Sequence, residues 1–217
     1  MMSIYVIASL KAGSGKTTLA MHLCESLMTL GSVMLLDADL TTDHFEWALQ
    51  QDQRLAFEHL DVKEDDAQLL DQRLKNLQKQ YMHIVVDIAG HDSKALRSVL
   101  KHADKMLIPA GLSEEDLKLA AQMQALAIAV HQYNTKMQVY LVFNKLPANT
   151  SSADIEQSKM LLQELPGAHF LNTIIYEHQD FENAMKASSC VWKHNLEQGE
   201  KMEKLLFELI SGDIHLS

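Results

Sequence analysis

Gly15, Lys16 and Thr17, inside the stretch SLKAGSGKTTLA at residues 9–20, carry the residue types of a phosphate-binding turn. Such a turn has the spacing G-x-x-x-x-G-K-[ST], and its glycines expose consecutive backbone N–H groups at the start of a helix. The helix terminus adds partial positive charge, so phosphates bind with little help from side chains. Lys16 is placed to reach the outer phosphates and the Thr17 hydroxyl to join a Mg²⁺ shell. Two departures stand out. Leu10 occupies the first glycine position, and Lys11 adds a second lysine five residues before the first.

Carboxylates that could complete the chemistry end later apolar runs. Asp87 closes IVVD, where a carboxylate can hold Mg²⁺ through water, and Asp37 and Asp39 close MLLDAD. A G-K-T triplet alone could arise by chance. Placed after one strand-like run, before a helix, and with two further strands ending in Asp, it points to a bound nucleotide.

The elements that must position these groups alternate along the chain. Strand-like runs are expected at 3–9, 32–39, 83–90, 105–111, 138–145 and 169–175, with a helix from Lys16 to about Leu30 ending at Gly31. Helical periodicity is strong between about Asp65 and Gln80. Apolar runs too continuous for one-sided strands, separated by amphipathic helices, predict a mostly parallel sheet covered by helices on both faces. No repeat or linker interrupts the pattern, and the expectation is one α/β P-loop NTPase domain over residues 1–217.

Composition narrows the function class. Hydrophobic residues make up 47% and charged residues 22%, ordinary values for a globular protein. No apolar run approaches a membrane span, and the N-terminus enters a strand without a signal-peptide pattern, so the expectation is a cytoplasmic protein. Cys24 and Cys190 read as free thiols. The eleven histidines show no metal-binding spacing. A net charge of −10 argues against coating nucleic acid by bulk electrostatics and leaves only a local basic patch.

With these residues in view, KAGSGKTT resembles the deviant Walker A motif K-G-G-x-G-K-T-T of the ParA/MinD family of ATPases. The likeness runs along nearly the whole chain and is best to the small ParA, or ParF-like, subgroup. DADLTTDHFEW aligns Asp37, Asp39 and Trp47; VVDIAGHDS aligns Asp87 as the Walker B acid; LIPAGLSEEDL aligns Pro109, Ser113 and Asp116. Near the C-terminus Ile175, Phe181, Ala184 and Val191 fall in register.

The resemblance implies ATP and Mg²⁺ as ligands. Lys11, Ala12, Gly13, Ser14, Gly15, Lys16, Thr17 and Thr18 would hold the phosphates, Thr17, Asp37 and Asp87 the metal, and Asn144 the adenine. Asp39 would orient the attacking water. Lys11 falls on the family's signature lysine, which crosses a dimer interface to the partner's nucleotide, in the manner of an arginine finger. A solvated lysine at the loop edge is the plainer alternative. Ala12 in place of glycine, Leu40-Thr41 in place of Pro-Gln, His178 in place of arginine and Ser189 in place of glycine depart from the pattern. Slow or partner-dependent hydrolysis is the expectation they suggest.

Family members of this kind bind DNA without sequence preference as ATP dimers. Lys94, Arg97, Lys101 and Lys105 recur at helical spacing in SKALRSVLKHADK, opposite Leu96, Val99, Leu100 and Ala103, and form one candidate surface. Lys186, Lys193, His194, Lys201 and Lys204 form a more dilute second group; either could be a solvated helix face. The C-terminal stripe of Met202, Leu205, Leu206, Leu209 and Ile210 has mixed flanks, so packing on the sheet is expected rather than stable membrane association. The implied activity is an ATPase that positions or partitions a cargo on the nucleoid, with a ParB-like or adaptor protein stimulating hydrolysis. A membrane-cycling regulator, an ATPase accessory to conjugative DNA transfer, and an inert protein of the same fold are the alternatives.

Overall fold

The computed structural model describes residues 2–38, 55–61, 63, 66–164 and 167–211. Seven strands form one sheet in the order β3-β2-β4-β1-β5-β6-β7: β1 Ser3–Ile7, β2 Val33–Ala38, β3 Leu55–His59, β4 His83–Ile88, β5 Lys105–Ala110, β6 Gln138–Phe143 and β7 Ala168–Phe170. Every neighbouring pair is parallel. The helices among the described residues are α1 Lys16–Leu27, α2 Ala67–Leu77, α3 Lys94–Leu100, α4 Glu114–His131, α5 Ser152–Gln163, α6 Gln179–Lys186 and α7 Leu196–Ser211, with a short 3₁₀ turn at Val191–Lys193.

Alternate residues of each strand feed two cores. Ile4, Val6 and Ala8 pack with side chains of α2 to α5, while Tyr5 and Ile7 pack with α1, α6 and α7. Burial on both faces explains the unbroken apolar runs of the central strands. The doubly covered parallel sheet read from the sequence is therefore present.

Two elements differ from expectation. Strand β3 was not anticipated. It is a partly buried edge strand, LAFEH, tied to α2 by an Arg73 guanidinium that donates two hydrogen bonds to the Glu58 carboxylate. The run at 169–175 forms a strand only through Phe170. Beyond it, the N–H groups of Asn172 and Thr173 donate to Glu208 of α7, at 2.6 and 3.3 Å, instead of continuing the ladder.

The stripe of α7 is settled by packing. Met202, Leu205, Leu206 and Leu209 are buried in the core shared with α1. Among the described residues, no helix is long and apolar enough to cross a membrane.

Candidate functional site

The carboxyl ends of β1, β4 and β2 bring the loop and the acids together, as open parallel sheets do. Gly13 and Gly15 take left-handed φ values of 71° and 91°, conformations open to glycine. Among the described residues, the only other left-handed positions outside glycine are Lys145 and Ser188, so Ala12 fits its place without that strain. Helix α1 begins at Lys16 with no side-chain cap and no acid in its first turn. Its first N–H groups are thus left for an anion.

Lys16 is buried, and its ammonium lies close to Gly90, just past β4. A Cβ at Gly90 would overlap the Ser9 carbonyl oxygen and approach the Lys16 Nζ to 3.3 Å, so the turn after Asp87 can press on the loop before α1 only as glycine. The Thr17 hydroxyl donates to the Asp87 carboxylate at 3.0 Å. The Ser14 hydroxyl is buried without a hydrogen-bond partner among the described residues, as a group set aside for a ligand would be. Hard oxygen donors at a helix start, beside a buried ammonium, fit a Mg²⁺–phosphate group.

Register sets Asp87, Asp37 and His59 side by side across β4, β2 and β3. The two acids are used differently. Asp87 meets Thr17, whereas buried Asp37 accepts from the ring of His59, with 3.2 Å between Oδ2 and Nδ1. His59 carried no sequence signal, because it stands on the unanticipated strand. Asp39 and Thr41 lie outside the described residues.

Lys11 sits beside this loop, but its ammonium is ion-paired to Asp116 of the same chain. Asp116 belongs to a capping box that starts α4, with its N–H donating to the Ser113 hydroxyl at 3.1 Å. Burial opposes ionisation of Asp116. The Lys11 ammonium and the Ser113 hydroxyl overcome that and hold its carboxyl below the usual aspartate range.

Beside Thr18 opens a cavity of about 280 Å³, bounded by Asn144 and Lys145 on one side and by Tyr176, Phe181 and Lys186 on the other. Asn144 therefore stands where a base could lie, and its amide also donates to the Ser14 carbonyl at 2.8 Å. His22 ties α1 to the 3₁₀ turn at Val191–Lys193. Its Nε2 accepts the Val191 N–H at 2.9 Å, which leaves Nδ1 to donate to the Thr18 carbonyl at 2.6 Å. Burial pushes this histidine down to about 4, so the ring is neutral.

The basic groups are dispersed. Lys94 is exposed on α3, Arg97 makes a two-point ion pair with Asp92, and Lys101 lies 5.1 Å from the Tyr133 ring centre. Lys105 does not join them. Its ammonium donates to the Leu209 and Ile210 carbonyls at 2.8 and 2.7 Å, closing the end of α7. Lys193 pairs with Glu25 at 2.8 Å, and Lys186 borders the cavity beside the loop. The expected stripe therefore loses Lys105, and Lys94, Arg97 and Lys101 remain on or at the end of α3.

The family model described as VirC1 protein matches residues 2–206. The fold is similar to apo McdA of Cyanothece, at 17% identity and a TM-score of 0.80, covering 94% of this chain and 98% of that one. It is also similar to septum site-determining protein MinD with Mg-ADP from Pyrococcus horikoshii, at 18% identity and 0.74, covering 98% of both. A plasmid partition protein from Borrelia burgdorferi matches at 18% identity and 0.71, covering 97% and 99%. No curated protein sequence gives a match. At such identities these structures establish the fold, that of the ParA/MinD P-loop proteins.

Proposed function

The chain belongs to the VirC1 protein family, and from that premise we propose that it is an ATPase whose nucleotide state switches a homodimer on and off DNA. The observation that carries the reading is the Thr17–Asp87 contact beside buried Lys16 at the end of a parallel sheet. McdA has been solved with ATP and MinD with Mg-ADP, which supports the same ligands here.

In this reading the N–H groups at the start of α1 and the Lys16 ammonium bind the phosphates. Thr17 and Asp87 hold the metal, Asp37 stands next to them, and Mg²⁺ supplies charge neutralisation across the outer phosphates when bound. The cavity bounded by Asn144 and Phe181 takes the base. Asp39 keeps the water-orienting role its motif implies. Lys11 leaves Asp116 and enters the partner's site, so the charge that assists hydrolysis is complete only in the dimer.

Switching follows because the two nucleotide states differ in what they bind. The dimer would track nonspecific DNA through the α3 face that carries Lys94, Arg97 and Lys101, and a partner protein carried by the cargo would stimulate hydrolysis and release it. The burial of the α7 stripe favours DNA over a membrane as the track.

Fluorescent ATP binding and phosphate release, each with and without Mg²⁺, test the site. Wild type should bind and hydrolyse, and Lys16→Ala should lose both. Equal binding by Lys16→Ala would refute the assignment.

A further inference from the structure

Lys145 stands just past β6 and is exposed, yet it adopts a left-handed backbone with φ of 56°. A lysine enters that region rarely and at a cost, and a surface lysine with nothing to hold has no reason to stay there. Its ammonium donates to the Gly13 carbonyl at 3.0 Å, and the neighbouring Asn144 amide donates to the Ser14 carbonyl at 2.8 Å. Two adjacent residues at the end of β6 thus grip two adjacent carbonyls of the phosphate loop.

We infer that Lys145 is a positioning residue that sets the orientation of the loop's N–H groups through the Gly13 carbonyl; this rests on the nucleotide reading above. A trans peptide points its C=O and N–H in opposite directions. Holding the Gly13 and Ser14 carbonyls toward β6 therefore turns the N–H groups of Ser14 and Gly15 the other way, off the β6 end. Gly13 needs this restraint. A Cβ there would meet nothing within 4 Å, so no packing fixes its peptide, and glycine itself permits the flipped form. A flipped peptide would present a carbonyl oxygen to a phosphate. The Gly15 position is already fixed, because a Cβ there would overlap the Asn144 amide. Lys145 thus restrains a peptide that neither packing at Gly13 nor Asn144 holds.

The test is calorimetric binding of Mg-pyrophosphate and Mg-ADP to wild type, Lys145→Met, Lys145→Arg and Lys145→Gly. Methionine keeps the stem and removes the donor. Glycine removes the donor while suiting the left-handed backbone, so a loss in that variant is not backbone strain. The Met and Gly variants should each weaken pyrophosphate and ADP by the same factor, about tenfold, the scale of one charge-assisted hydrogen bond. Arginine, which retains a donor, should stay within about threefold of wild type. Unchanged pyrophosphate affinity in the Met and Gly variants would overturn the inference while leaving the nucleotide site standing. Loss of ADP alone would overturn it too, by placing the ammonium on the base or sugar. If wild type bound neither ligand, both readings would fall together.

Discussion

The Lys11 ammonium is ion-paired to Asp116 of its own chain, the acid that also closes the capping box of α4. The lysine proposed to act on a partner's nucleotide is thus already matched within one subunit. The Lys11 side chain is 40% exposed and that of Asp116 only 8%, so the lysine is the member able to leave. Dimerisation then competes with two such pairs, one from each subunit.

Asp116→Asn should therefore favour the ATP dimer. The amide still caps α4 but no longer attracts Lys11. At about 1 kcal/mol for each partly exposed pair, and two pairs per dimer, the monomer–dimer midpoint with ATP should fall about thirtyfold in protein concentration. Sedimentation velocity reads this, and an unchanged midpoint would mean that the pair does not oppose assembly. Because the folded Asp116 value is depressed, the pair's stabilisation is complete above the ordinary aspartate value near pH 4 and is lost as pH falls through the lower folded one. The competition should be insensitive to pH near neutrality.

His22 should make stability pH-dependent at milder acidity. Its folded value is lowered to about 4, against 6.5 for a free histidine. The unfolded chain binds the extra proton between those values, so stability is present above about pH 6.5 and declines as pH falls toward 4. The loss should reach roughly 3 kcal/mol. Urea unfolding of wild type and His22→Gln at pH 7 and pH 4.5 checks this. The variant should keep only a shallower slope of the same sign from His83, which burial also lowers.

Gly90→Ala should damage the phosphate site through the Ser9 main chain and Lys16. The new methyl meets the Ser9 main chain and crowds Lys16. A loss of about 1–3 kcal/mol in stability and at least about tenfold in ATP affinity is expected. A variant with wild-type affinity would show that the turn can yield.

Lys105→Met and Lys101→Glu should separate stability from DNA binding. The first removes the donor from the end of α7 and should lower the unfolding midpoint with little change in DNA affinity. The second should leave stability alone, weaken binding and flatten its salt dependence. The reverse pattern, measured by fluorescence anisotropy across salt, would return Lys105 to the DNA surface.

The sheet and the turn before α1 were legible because continuous apolar runs and a glycine-lysine-threonine turn are local signals. Strand β3 was not. Its residues are partly buried at an edge and include Glu58 and His59, whose partners Arg73 and Asp37 lie far away in sequence. Lys105 was misplaced for the same reason: helical spacing put it in line with Lys94 and Lys101, but the helix ends at Leu100 and Lys105 starts a strand. Lys145 and His22 gave no warning, since their roles come from contacts to Gly13 and Val191 across the fold. Ala12 departs from the family pattern without backbone strain, because the left-handed turns fall on Gly13 and Gly15.

The central claim, an ATP-gated dimer on DNA that depends on Lys11, is tested most directly by one titration. Nonspecific duplex DNA is titrated with wild type and Lys11→Ala under ATP, ADP and no nucleotide, across a salt series. The account predicts binding by wild type with ATP alone, falling steeply with salt, and none by Lys11→Ala in any state. Equal binding in all three nucleotide states, or ATP-dependent binding that survives in Lys11→Ala, would contradict it.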